Sequence, residues 1–83
     1  MDVETIVTNE VMKQAKAAGG TFPGPLRRDT ALTDTGLDSL GFTTLVIDLE
    51  RQLGVDPFGS DEEIVYPETF GELVELYTAA AGA

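Results

Sequence analysis

The sequence predicts an all-α bundle of four helices, three long and one short, with a long first loop. Apolar residues recur at steps of three and four in three separate stretches. No useful length alternates with a period of two, and capping residues or glycines stand at the ends of the stretches. With 83 residues the chain can bury one modest core, so a single domain over 1–83 is expected.

The first stretch places Val3, Ile6, Val7, Val11, Ala15 and Ala18 on one stripe, which predicts a helix over 2–18. Asp2 is its candidate N-cap, Lys13 and Lys16 suit the negative end of the dipole, and Gly19 and Gly20 can stop it. From Thr21 to Asp38 the prolines, glycines and scattered polar residues read as loop. A loop of that length in a small domain needs tethers, and Leu26, Leu32 and Leu37 are the residues that can insert into the core. The second helix is predicted over 39–53, with Phe42, Leu45, Val46, Leu49 and Leu53 inward, Asp38 as N-cap and Gly54 as the stop. Ser60 with Glu63 forms a capping box for a short acidic helix over 60–65, which Pro67 must end. Thr69 with Glu72 forms another, opening a last helix over 69–80 whose apolar stripe is Phe70, Leu73, Val74 and Tyr77.

Charge and missing residue types narrow the function. The formal net charge is −10, and all of it falls after Thr33, because the four acids before that point are matched by four bases. Such a surface repels nucleic acid and anionic lipid and favours partners with basic docking surfaces. The chain lacks His and Cys, so histidine bases, zinc sites and thiol nucleophiles cannot be built from it. An independent enzyme is therefore not expected. The acidic N-terminus lacks the features of a secretory signal, and no apolar stretch is long enough to span a bilayer, so a cytoplasmic monomer without membrane insertion is expected.

The chemistry concentrates at Gly36-Leu37-Asp38-Ser39-Leu40, where the long loop enters the second helix. A serine there is exposed, near free backbone amides and the positive end of the dipole. In that context the segment resembles the attachment site of the acyl and peptidyl carrier proteins, and the resemblance extends to helix order, loop length and acidity. It implies that Ser39 accepts 4′-phosphopantetheine from coenzyme A through a phosphopantetheinyl transferase, which supplies the metal and the base. Asp38, Leu40 and Gly36 would flank the attached arm. It further implies that acyl-loading or aminoacyl-loading and synthase enzymes dock beside it. Leu40, Thr43 and Ile47 share a face offset from the core stripe, and Asp48, Asp61 and Glu62 are the acids expected to join them.

Gly41 and Thr44 depart from the fatty-acid carrier pattern, in which acids are common on the first turns of this helix. That departure makes a specialised pathway, polyketide, peptidyl or aminoacyl, at least as plausible. Without an attached group the chain would be an acidic helical binding module.

Overall fold

Helix α1 spans Val3–Ala17 in a computed structural model that describes residues 2–19, 24–58 and 66–82. Its start is set by Asp2, whose carboxylate accepts from the Glu4 amide at 3.2 Å and from the Thr5 hydroxyl at 2.6 Å. The Thr5 hydrogen bond holds that carboxyl below the usual aspartate range. Helix α2 spans Ser39–Leu53 and α3 spans Phe70–Ala80. The ends of α2 follow the expectation, since Asp38 caps it and Gly54 terminates it at φ 71°, a left-handed conformation that glycine takes without steric cost. At α3 the capping box is shifted by one residue. Thr69 Oγ1 accepts from the Glu72 amide at 3.2 Å, but the Glu72 carboxylate accepts from the Glu68 amide rather than from that of Thr69. The expected short helix over 60–65 lies outside the described residues.

Helix α1 packs against both α2 and α3. All three contribute to one apolar cluster in which Val7, Val11, Leu45, Leu49, Leu73 and Tyr77 are completely buried. Leu32 and Leu37 enter it and Leu26 packs on its edge, so the three loop leucines are the tethers that the spacing predicts. Of the stripe positions, Ala18 is exposed beyond the end of α1, and Val3, Ile6, Phe42, Val46 and Leu53 are half-buried.

The loop itself is more ordered than its composition predicts. Leu32–Thr35 form a 3₁₀ turn, closed by the Thr35 hydroxyl donating to the Leu32 carbonyl at 2.6 Å. Alongside, Ala31 and Thr69 form an antiparallel bridge, and the amides of Leu32, Phe70 and Gly71 donate to the carbonyls of Glu68, Thr30 and Arg28, each at 2.9 Å. The loop is thus stitched to the start of α3. Gly71 is required there, because a Cβ would lie 2.8 Å from the Arg28 carbonyl oxygen that its own amide bonds. A Gly71→Ala chain is expected to lose about 1–3 kcal/mol of unfolding free energy in urea, the usual cost of overpacking and more than alanine's gain in helix propensity.

Polar residues also sit on the inner face of α1. Glu10 and Gln14 are buried; the Glu10 carboxylate accepts from Gln52 Nε2 at 2.8 Å, and Gln14 Nε2 donates to Asp48 at 3.3 Å. Lys13 Nζ lies 3.8 Å from both the Glu10 and the Asp48 carboxylates. This seam joins α1 to α2.

Tyr77 is buried with a hydroxyl that has no hydrogen-bond partner among the described residues. Burial, reinforced by the charges of Asp56 and Glu50, pushes its phenol well above the ordinary value. The folded state therefore favours the neutral phenol. The contribution is whole below the unfolded value of about 10 and is lost above it, by about 1.4 kcal/mol per pH unit until the folded group also ionises. Tyr77→Phe is expected to remove that alkaline loss, and to leave neutral stability unchanged or higher by about 1 kcal/mol. Urea melts of both chains at about pH 7 and about pH 11 provide the comparison.

Candidate functional site

Four successive local devices fix the entry to α2. Gly36 caps the 3₁₀ turn at φ 89°, in the left-handed region, and its amide bonds the Thr33 carbonyl. Leu37 then drops into the core at 8% exposure, with its amide donating to the buried Thr35 hydroxyl at 3.3 Å. Asp38 is extended, and its Oδ1 accepts from the Gly41 amide at 2.7 Å while its carbonyl accepts from Phe42 at 2.8 Å. Ser39 follows as the first helical residue, with its side chain in solvent.

Because Asp38 performs the capping, the Ser39 hydroxyl is not needed for it. The amides of Ser39 and Leu40 precede the first intrahelical bond, so two donors and the positive dipole end lie beside that hydroxyl. Ser39 also borders an open cleft of about 400 Å³, walled on the loop side by Leu32 and Thr33 and closed by Phe42 and Tyr66.

Gly41 has a steric explanation. It is buried, and a Cβ there would approach both Asp38 Oδ1 and Leu37 Cδ1 to 3.1 Å, so a larger residue would press on the cap and its anchor together. Gly41 thus sits where the cap and its anchor close tightly on the helix.

The three residues placed on an outer face by helical geometry are on the surface. Leu40 is 75% exposed, Ile47 is 49% exposed, and Thr43 is exposed between them. Thr43 and Thr44 donate their hydroxyls back to the carbonyls of Ser39 and Leu40 at 3.0 and 3.1 Å, which uses those protons within the helix. The face beside Ser39 is therefore uncharged, with Leu40 and Ile47 apolar and the Thr43 hydroxyl between them. Asp48 is not part of it, being half-buried and bound to Gln14 and Lys13 in the seam with α1. Asp61 and Glu62 lie outside the described residues.

Sequence periodicity did not single out an aromatic group beyond this face. Phe42, Phe58 and Tyr66 meet with ring centroids 5.9 to 6.1 Å apart, and Phe58 reaches Tyr77 at 6.2 Å. Phe42 and Tyr77 belong to helical stripes. Phe58 and Tyr66 lie in the segment between α2 and α3, and their contacts with Phe42 join residues distant in sequence.

Among the described residues no helix is long and apolar enough to cross a membrane. The family model described as phosphopantetheine attachment site matches residues 23–61. No curated protein and no solved structure matches the chain.

Proposed function

From the membership of residues 23–61 in the phosphopantetheine-attachment family of acyl and peptidyl carrier proteins, we propose that this chain is an acyl carrier protein whose arm is attached to Ser39. The family binds 4′-phosphopantetheine covalently, and its domains are carriers rather than catalysts. The observation that carries the placement is the exposed Ser39 hydroxyl at the capped start of α2. It lies inside the matched segment and on the border of a cleft.

The local residues fit the group. In the loading step Ser39 Oγ forms a bond to the phosphorus of coenzyme A that bears the pantetheine, the pyrophosphate bond to the nucleotide breaks, and the serine proton passes to a base on the transferase. The resulting phosphodiester has the free amides of the first turn beside it. When bound, the group supplies a thiol on which acyl intermediates are held as thioesters, a function that a chain without cysteine cannot otherwise provide. Asp38 and Gly36 hold the approach rigid, and Leu40, Thr43 and Ile47 form the face on which the transferase and the acyl-handling enzymes dock. The acid-rich half of the chain after Thr33 favours basic surfaces on those enzymes.

Incubation with coenzyme A and a promiscuous phosphopantetheinyl transferase, followed by intact-mass measurement, tests the reading. One added phosphopantetheine is expected. No gain with several transferases would leave the chain as an acidic binding module.

A further inference from the structure

Two clefts meet on the flank of α2. The one that Ser39 borders is lined by Leu32, Leu37 and Phe42 as well as by the polar side chains of Thr33, Asp38 and Thr43. The second, of about 200 Å³, lies further along the helix between Val46, Ile47 and Phe58. Phe42, Thr43 and Tyr66 line both, so the two form one groove. At 1.5 Å per residue it follows α2 for about 12 Å, from Ser39 to Ile47.

Phe42 and Tyr66, shared by the two clefts, and Phe58, in the second alone, give the groove an aromatic wall. Phe42 meets Phe58 edge to face, Tyr66 stacks on Phe58 at 19° between planes, and Tyr66 remains 62% exposed at the rim. The helix behind it offers no depth, because Leu45 and Leu49 are completely buried in the core. A cavity of about 150 Å³ lined by apolar side chains admits benzene, so the second cleft has room for one ring. Ring edges and faces favour an aromatic guest beyond what area alone gives.

We propose that this groove holds the group carried on the Ser39 arm, and that it selects a short acyl group bearing an aromatic ring. The inference rests on the carrier reading and names its cargo class. The end that Ser39 borders takes the arm, and the Phe42, Phe58 and Tyr66 rings receive the aryl end.

The test loads the full chain at Ser39 with a promiscuous transferase from coenzyme A, benzoyl-coenzyme A and hexanoyl-coenzyme A, each product verified by intact mass. The benzoyl form is expected to melt about 4 °C above the form carrying the arm alone, with a clearly smaller rise for hexanoyl. Its ring protons should show nuclear Overhauser contacts to the Val46 and Ile47 methyls. Tyr66→Leu keeps apolar bulk at an exposed position, so it folds and should lose the benzoyl increment while the hexanoyl value stays. Equal increments for the two acyl groups, no increment, or no contact from the ring would each overturn the aryl assignment while leaving the carrier reading intact. A chain that gains no mass overturns both, and the mass spectrum alone distinguishes that case.

Discussion

A Ser39→Ala chain is expected to gain no phosphopantetheine under conditions that load the parent fully, and to melt where the parent melts. The two halves of this result have separate causes. Loading requires an oxygen nucleophile at one position, and alanine offers none. Stability is unaffected because the cap belongs to Asp38 Oδ1, which holds the Gly41 amide at 2.7 Å whether or not residue 39 has a hydroxyl. An exposed first-turn substitution of this kind stays within about 0.5 kcal/mol. Asp38→Ala is the informative contrast, since it removes the cap and should cost about 1 kcal/mol. Continued mass gain in Ser39→Ala would assign attachment to another hydroxyl, and a lowered melting temperature would show that Ser39 is structural.

The second large effect separates two leucines on the same helix. Leu45 is completely buried at the centre of the core cluster, so Leu45→Ala should cost about 2–5 kcal/mol through lost transfer energy and the cavity left behind. A domain of this size has roughly 4–12 kcal/mol in total, which makes the loss a large share of its stability. Leu40, 75% exposed, should tolerate alanine within about 0.5 kcal/mol and instead lose transferase efficiency through lost contact with the enzyme. Urea melts give the first quantity and loading kinetics the second. Similar stability costs at the two positions would mean that α2 is rotated from the orientation described.

What the sequence made legible was local. Asp2, Asp38 and Thr69 mark helix starts because a capping side chain reaches amides only two or three residues away. The exposed position of Ser39 follows from the same short-range logic. The features that escaped are pairings between distant residues. Glu10 and Gln14 share the inner face of α1 with Val7 and Val11, yet polarity alone assigns them to solvent; their partners Gln52 and Asp48 lie on another helix. The 3₁₀ turn and the Ala31–Thr69 bridge are equally hidden, since nothing in the loop's composition says that it will lie against the start of α3. The aromatic group needs Phe42, Phe58 and Tyr66 brought together from three segments. At Gly41 the sequence showed the departure, and only the distances showed how closely Asp38 and Leu37 pack there.

The bonds from Leu32, Phe70 and Gly71 that join the loop to α3 also bear on the order of assembly. They close across some forty intervening residues, a ring whose entropy must be surrendered before the contacts reward it. The segment 23–61 that carries the family signature includes neither α1 nor α3. Excised alone, it would keep the serine and its cap but lose the partners that hold the incoming loop in place, so the signature marks where the chemistry sits and not what suffices to fold it.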